Sequence, residues 1–409
     1  MSASLVARLG DRLSAMAEIG ADPEGGITRL AYTELERAAH AQFVSWAEAD
    51  GARCETDRAG NTVAIYAEGT PYFLVGSHLD SVVRGGAYDG VAGVLGAMEV
   101  GRLAGEKVSH GLRVVAFAGE EGARFGRPNL GSVAAAGMLT PEALGRLRDA
   151  HGTDLATAAA ELGFDPLATE PWIDDEIICF FELHIEQGRQ LEAGSARIGL
   201  VDAIAGSVRL RFEITGRPDH SGATPMRMRS DALAAASELV LVAEKVGRRY
   251  RSTVATVGRL EVHPNNVTTV PGEVRLWMDI RDVDADLQRQ AAATVFERAR
   301  ELGETREVGI SGEVISDQAP VVLEAWPRMI AHRECAERGL TYRVLASGAG
   351  HDAAIVARRA PATMFFIPCL EGLSHSPREQ ASVEDIAAAS ELIAAVLVDA
   401  SESGIDALR

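Results

Sequence analysis

The hydrophobic pattern of the first third of the chain predicts alternating strands and helices. Short apolar runs that end at small or charged residues predict buried strands at 72–77, 112–119 and 177–185, and residues 91–104 have the apolar spacing of a helix. Strands that alternate with helices predict an α/β fold with a mixed, mostly parallel sheet and helices on both faces. The ligand site of such a sheet lies at the carboxyl ends of its strands.

Residues 207–317 follow a different pattern. Their order of strand, helix, strand, strand, helix and strand predicts a ferredoxin-like α+β unit with an antiparallel sheet. Helices and short strands resume after residue 318. If later residues join the site of the first third, the chain has a discontinuous domain, 1–206 and 318–409, into which 207–317 is inserted. A length of 409 residues also favours more than one hydrophobic core.

Composition excludes several classes of partner. The formal net charge is −19, so no surplus of cationic side chains exists to bind nucleic acid or an anionic membrane. No run of about 18 apolar residues predicts a transmembrane helix, and the N-terminus lacks the apolar core of a signal peptide. The four cysteines form no CxxC pair, which is typical of reduced thiols in a cytoplasmic protein.

Two candidate metal ligands lie early in the chain. GSHLDS places His78 at a predicted strand end, with Asp80 two residues later, where its carboxylate can fix the tautomer of the imidazole. GGAYDGVAG places Asp89 between glycines at the start of the 91–104 helix. A helix cap is the alternative role for Asp89; the sharper interpretation is a carboxylate shared by two cations.

Two adjacent glutamates follow the second predicted strand in AGEEGARFG. Charged pairs are rare at the end of a buried strand unless a positive group is near, although a solvated strand end is the alternative. Glu121 is therefore a candidate ligand and Glu120 a candidate base. His184 in ELHIEQG and His375 in GLSHSPRE are further candidates. Each loop alone is ambiguous, but together they favour one site.

The ligand types indicate the chemistry. Imidazole and carboxylate without thiolate suit zinc, manganese, cobalt or nickel. Two cations about 3.5–4 Å apart can share one carboxylate and lower the pKa of a bound water towards about 7. A neighbouring carboxylate base then takes a proton and passes it to the leaving nitrogen. The sequence thus predicts a two-metal hydrolase of unactivated C–N bonds.

These motifs resemble a family of two-metal amidohydrolases that comprises N-carbamoyl-L-amino-acid hydrolases, allantoate amidohydrolases and β-ureidopropionases. The resemblance extends over nearly the whole chain and rests on motifs in the family's order: GITRLAYTELE, SHLDSV, GGAYDG, EEGARF, ELHIEQG, HSGATPM, SGAGHDA and SHSP. It implies a catalytic domain like that of zinc aminopeptidases, two divalent ions per subunit, and a lid or dimerisation role for the inserted domain.

The resemblance also implies a role for each matching residue. One metal would be held by His78, Asp89 and His184, and the other by Asp89, Glu121 and His375, with Glu120 as general base and acid. The implied substrate contacts are Gln187, His220, Thr268, Arg281 and Gly350. Among them, Arg281 would bind the substrate carboxylate, since a guanidinium binds carboxylates bidentately. His220 would polarise the scissile carbonyl from the neighbouring subunit of a homodimer. Without the resemblance, a surface salt bridge and a turn histidine are the alternatives for Arg281 and His220.

The segment PNNVTTVPGE departs from the family pattern. The family usually has asparagine where this chain has Thr268, and Asn265 and Asn266 are out of register. This change concerns the polar contacts of the substrate, a small molecule with a carboxylate. We expect hydrolysis of N-carbamoyl-L-α-amino acids; allantoate hydrolysis and an N-acyl amidase or peptidase activity are the alternatives within the family. A non-catalytic binding protein is disfavoured because Glu120 and every implied ligand are present.

Overall fold

The computed structural model describes residues 3–404, which form two compact units. One unit runs to Asp202 and resumes at Leu323, and the other comprises Ala203–Val322. Within the described residues no helix combines the length and the apolar character that crossing a membrane requires. The division of the chain into domains at 207–317 stays a prediction.

The strands, in chain order, are β1 (Arg53–Thr56), β2 (Thr62–Ala67), β3 (Tyr72–His78), β4 (Gly111–Phe117), β5 (Ile177–Ile185), β6 (Ile198–Ile204), β7 (Gly206–Thr215), β8 (Asp219–His220), β9 (Val254–His263), β10 (Thr269–Val270), β11 (Glu273–Asp282), β12 (Gly309–Gln318), β13 (Val321–Val322), β14 (Tyr342–Ser347) and β15 (Ala362–Ile367).

The α-helices, in chain order, are α1 (Ala3–Glu18), α2 (Glu34–Ala49), α3 (Val91–Ala104), α4 (Leu130–Ala135), α5 (Pro141–Leu144), α6 (Leu155–Glu161), α7 (Gln190–Ala193), α8 (Ala232–Arg249), α9 (Ala285–Arg306), α10 (Ala325–Arg338), α11 (Asp352–Val356) and α12 (Val383–Ser403).

The large sheet has the order β1-β2-β4-β3-β5-β15-β6-β13, and β14 also pairs with β6. The central strands β4, β3, β5 and β15 are parallel to one another, whereas the β1–β2, β2–β4, β15–β6 and β6–β13 pairs are antiparallel. The predicted mixed sheet is confirmed, with its parallel part at the centre. The carboxyl ends of the parallel strands therefore lie at one edge.

Alternation along β5 explains the two faces of this sheet. Successive side chains of a strand point to opposite faces. Phe181 and Leu183 join a core with α3 and α12, while Glu182 and His184 face α11. Every residue of β5 is buried, so the sheet is covered on both sides. The polar residues of this strand are therefore held inside the protein.

The second unit has the predicted ferredoxin-like topology. Its four-stranded sheet has the order β12-β7-β11-β9 with antiparallel pairing throughout, and α8 and α9 pack on it. Alternate apolar residues of β7 and β11 form a separate core with these helices. A second, two-stranded sheet pairs β8 with β10 and places Thr269 opposite His220.

Candidate metal centre

The first unit brings all five predicted ligands together at the carboxyl edge of the sheet. His78 is the last residue of β3, His184 lies at the end of β5, and Asp89 precedes α3. Glu121 and His375 come from the loops after β4 and β15. Their side-chain donor atoms form two groups whose members lie within 4.8 Å of one another: His78, Asp89 and His184, and Asp89, Glu121 and His375. Asp89 belongs to both.

The two oxygens of Asp89 face different groups. Oδ1 lies 3.5 Å from His78 Nε2 and 3.2 Å from His184 Nε2. Oδ2 lies 3.6 Å from His375 Nε2, which in turn is 3.2 Å from Glu121 Oε2. Donors about 2.0–2.2 Å from one ion are separated by roughly these distances. The donor set therefore fits two cations that share Asp89.

The buried histidines present Nε2 to the site. His184 Nδ1 lies 2.9 Å from the carbonyl of Ile185, and His78 Nδ1 lies 3.2 Å from the carbonyl of Asp80 and 3.3 Å from its Oδ1. A ring nitrogen beside an acceptor carries the proton, so Nε2 is left as the ligand atom. The predicted approach of Asp80 to His78 is confirmed.

Gly90 fits the crowded space beside His78. Its φ is +66°, in the left-handed region, and a Cβ there would lie 2.4 Å from the imidazole. Glycine adopts this conformation without steric cost. The residue after Asp89 therefore must be small for Asp89 and His78 to approach each other.

Asp80 also fixes the two glutamates. Its Oδ1 accepts a hydrogen bond from the backbone N–H of Glu120 at 2.8 Å, and its Oδ2 accepts one from that of Glu121 at 3.1 Å. One carboxylate thus connects the β3 end with the β4 end. The arrangement sets the direction of both glutamate side chains.

Glu120 is buried and lies beside the ligands rather than among them. Its Oε2 is 3.8 Å from His78 Nε2, and its Oε1 accepts a hydrogen bond from Asn129 Nδ2 at 3.0 Å. The same amide lies 3.2 Å from Asp352 Oδ1, which also accepts from Ser132. No sequence pattern pointed to Asn129, whose backbone is in the left-handed region at φ +60°.

Charges in this site perturb one another strongly. Burial raises the pKa of Glu120 well above its usual value, with His78 opposing. Burial alone would also raise the pKa of Asp89, but His184 and His78 hold it well below its ordinary range. The hydrogen bond to Glu121 raises the pKa of His375 to about 9. A concentration of carboxylates with imidazoles is the environment in which cations bind.

A second layer of residues supports Asp89. Glu379 Oε1 accepts hydrogen bonds from the backbone N–H groups of Tyr88 and Asp89, and its Oε2 accepts one from Ser374. Ser374 Oγ also lies 2.6 Å from Asp89 Oδ2. Its single proton can bond to only one of the two carboxylates at a time. Sequence reasoning missed both residues, although they flank His375 in SHSPRE and that position was the available signal. Gln187 Nε2 donates to Asp89 Oδ2 at 2.7 Å. This predicted substrate contact therefore lies next to the candidate metal ligands.

The SGAGHDA segment contributes packing next to the site. Gly350 is exposed, with nothing within 4 Å of the position where a Cβ would lie. His351 packs edge-on against His184, with ring centroids 4.5 Å apart, and its Nε2 is 2.9 Å from Ser347 Oγ. Neither His351 nor Asp352 belongs to the two ligand groups, so both residues support the packing beside the site.

The remaining predicted contacts lie in the second unit. His220 is exposed, and its Nδ1 accepts hydrogen bonds from the backbone N–H groups of Gly222 and Ala223. The neutral ring therefore carries its proton on Nε2 and presents a donor.

Thr268 and Arg281 each have a partner within that unit. Thr268 donates its hydroxyl to Asn266 Oδ1 at 3.0 Å, which brings a carboxamide next to the position where the family has asparagine. Arg281 Nε lies 2.9 Å from Asp279 Oδ2, and the Arg281 side chain is 28% exposed.

Comparisons with known proteins show the family of the chain. The model of Peptidase family M20/M25/M40 matches residues 74–399. The chain is 39% identical over 398 residues to the N-carbamoyl-L-amino acid amidohydrolase of Geobacillus stearothermophilus, covering 94% of this chain and 96% of the relative. It is 35% identical to the allantoate amidohydrolase of Escherichia coli K12, covering 93% and 95%.

A solved structure gives the same result. The hydantoinase/carbamoylase family amidase of Burkholderia multivorans superposes with a TM-score of 0.88 at 32% identity, covering 96% of this chain and 97% of that one. Fold, site and relatives define a metal-dependent hydrolase. The chain belongs to peptidase family M20/M25/M40, in the branch that contains carbamoylases and allantoate amidohydrolases. The family resemblance of the sequence is thereby confirmed.

Proposed function

We propose that the protein hydrolyses the carbamoyl C–N bond of N-carbamoyl-L-α-amino acids to the amino acid, carbon dioxide and ammonia. The observation that carries this proposal is Asp89, whose two oxygens face two separate ligand groups beside the buried Glu120. The similarity to an N-carbamoyl-L-amino acid amidohydrolase supports the choice of substrate.

We assign two divalent ions per subunit to the two groups of ligands, and zinc, manganese, cobalt and nickel all suit these donors. When bound, the ions supply Lewis acidity and a water of lowered pKa. Glu120 takes a proton from the attacking water and returns it to the leaving nitrogen. Asn129 holds one oxygen of Glu120 and leaves Oε2 on the side of His78.

Of the five proposed substrate contacts, Gln187 and Gly350 lie in the first unit, and the other three lie in the second. His220 donates from Nε2 to the oxygen on which negative charge develops. Arg281 binds the α-carboxylate, and Thr268 with Asn266 contacts the polar part of the substrate. We further propose that the chain is a homodimer in which His220 acts in the site of the neighbouring subunit, and that the enzyme works in the cytoplasm. The free state of its four cysteines agrees with a reducing compartment.

Allantoate hydrolysis is the second candidate, because the E. coli relative of that name is 35% identical. An N-acyl amidase or peptidase activity would use the same carbonyl chemistry. The experiment is a panel of N-carbamoyl-L-amino acids, allantoate and N-acyl-L-amino acids, assayed with the purified, metal-analysed protein. We expect the highest kcat/KM on an N-carbamoyl-L-amino acid. Activity on allantoate alone would exclude the proposed function and leave the second candidate.

A further inference from the structure

A cavity of about 170 Å³ lies in the first unit, behind the turn that carries the two glutamates. One wall is helix α2, with Glu36, His40 and Val44, and another includes Leu162 and Phe164. An apolar cavity of about 150 Å³ takes up one benzene molecule. The cavity is therefore large enough for a single six-membered ring.

His40 lines this cavity and has a buried ring nitrogen without a hydrogen-bond partner. Its side chain is 7% exposed. Nδ1 lies 3.0 Å from Thr62 Oγ1, whereas Nε2 has no hydrogen-bond partner. Burial lowers the pKa of His40 to about 4, so the imidazole is neutral at pH 7. A buried polar group without a hydrogen bond costs free energy that a ligand group can recover.

Glu36 connects the cavity to the metal centre. Its Oε1 accepts a hydrogen bond from the backbone N–H of Gly119 at 2.8 Å, directly before Glu120 and Glu121, and its Oε2 accepts one from Tyr32. Burial raises the pKa of Glu36 to about 8. Because this carboxyl is mostly neutral at pH 7 and already bonded to two N–H groups, it does not favour a charged ligand.

We propose that this cavity is a regulatory site for an uncharged small molecule with one ring or branched chain and a single hydrogen-bonding group. The apolar part would pack on Val44, Leu162 and Phe164. The polar group would bind His40 Nε2, which a turn of the imidazole would bring to the cavity surface. Contact of the ligand with Glu36 would then shift the turn that carries Glu120, because Glu36 is hydrogen-bonded to Gly119. Binding does not depend on the proposed function; only the regulatory effect rests on it.

Phenol is a suitable probe, since it combines one ring with one hydroxyl. In calorimetric titration of the metal-loaded protein we expect one phenol site per chain. Benzene should bind about two- to tenfold more weakly, the range of one neutral hydrogen bond. His40→Phe keeps a ring but removes the nitrogen, and should bind both probes equally. Absence of phenol binding by the unmodified protein would overturn the proposal.

A matched pair of variants on α2 tests the location. Ala41 is exposed and lines the cavity, so Ala41→Phe fills the cavity mouth without a change in the core. Ala38 is exposed on the same helix away from the lining, so Ala38→Phe is the control. We expect Ala41→Phe to weaken phenol binding at least about tenfold, which corresponds to about 1.4 kcal/mol. Equal binding by both variants would refute the assignment.

The regulatory part has its own readout. With phenol at saturation, kcat on the best substrate of the panel should change about fivefold or more in the unmodified enzyme and in Ala38→Phe, but not in Ala41→Phe. An unchanged kcat with phenol bound would disprove regulation. If the panel shows no turnover while phenol binding follows these variants, the binding site stands and the proposed function fails.

Discussion

The metal centre and the substrate-contacting segments differ in how firmly their side chains are held. At the candidate metal centre, Asp89 is buried and lies within 3.6 Å of three histidines, and it contacts Gln187 and Ser374, while Glu379 binds its backbone N–H. In the second unit, His220 and Thr268 are exposed, and the hydrogen bonds of their side chains described above are to neighbours within three residues. The proposed reaction chemistry thus lies on buried strand ends, whereas two of the proposed substrate contacts, His220 and Thr268, lie on exposed segments.

This difference has a physical reason. Metal ligands must meet within tenths of an ångström, which requires supporting hydrogen bonds from a rigid scaffold. Contacts that select a substrate tolerate variation, and loops carry such variation at low cost in stability. Changes at the metal centre should therefore abolish activity on every substrate. Changes in the second unit should instead alter the ratio of the kcat/KM values for different substrates.

The largest expected effect is that of Asp89→Asn. Because Asp89 belongs to both ligand groups, this variant should lose both ions, while His375→Ala should lose only the ion of the second group. We expect kcat/KM of Asp89→Asn to fall more than about 100-fold, the upper range for removal of a supporting residue. Metal content by mass spectrometry checks the prediction. Retention of two ions per chain by Asp89→Asn would contradict the shared-ligand geometry.

Arg281→Ala should act mainly on substrate binding. Loss of one charged hydrogen-bonding partner costs about 1.5–3 kcal/mol, so kcat/KM should fall about 10- to 100-fold, chiefly through KM. Arg275→Ala, on the same face of β11, is the control and should have little effect. Steady-state kinetics distinguish the two. If metal content falls in Arg281→Ala, or if both variants behave alike, the division between the two regions fails.

Asn129→Gly should lower kcat about tenfold with unchanged KM and metal content. Glycine keeps the left-handed backbone but removes the amide that positions Glu120. Ser132→Ala removes the other donor to Asp352 without touching Glu120, so it should leave kcat unchanged. Measurement of kcat and KM at saturating metal compares the two variants. An equal loss in both variants would point to a general effect on folding.

The smallest effect concerns stability at low pH. The pKa of His40 is about 4 in the folded protein and about 6.5 in the unfolded chain. Between these values the unfolded chain binds a proton that the folded protein does not. Stability from His40 therefore falls as pH decreases from 6.5 to 4, by up to about 3 kcal/mol. Glu36, with its raised pKa, acts in the opposite direction.

Thermal unfolding of the unmodified protein and of His40→Phe at several pH values isolates this contribution. As the pH falls, the melting temperature of the unmodified protein should decrease more than that of His40→Phe. Parallel pH profiles would show that His40 does not stay neutral in the folded state.

The sequence predicted the parallel centre of the sheet from continuous apolar runs, and His78, Glu121 and His184 lie at or near the ends of three of them. It did not reveal the antiparallel strands β1 and β6. The four residues of β1 are mostly polar, and the apolar run of β6 does not show that the strand pairs antiparallel with β15 and β13. Asn129 and Glu379 were also missed. Their roles depend on contacts across the fold, such as that between Glu379 and Asp89, 290 residues apart, and no local pattern encodes such contacts.

The segment around Thr268 is a second case in which the sequence did not predict a side-chain contact. The sequence showed that asparagine is absent from the expected position, but not that the Asn266 side chain bonds to the Thr268 hydroxyl. Register within a turn depends on backbone geometry, which the order of residues alone does not fix.

The most direct test of the central claim is the comparison of Glu120→Gln with the unmodified enzyme, in both metal content and turnover. Glutamine keeps the size and the contact with Asn129 but cannot accept a proton. The account predicts two bound ions per chain and a kcat lower by about 10²–10⁴-fold on the best substrate. Near-full activity with both ions bound would contradict the role of Glu120 as the base.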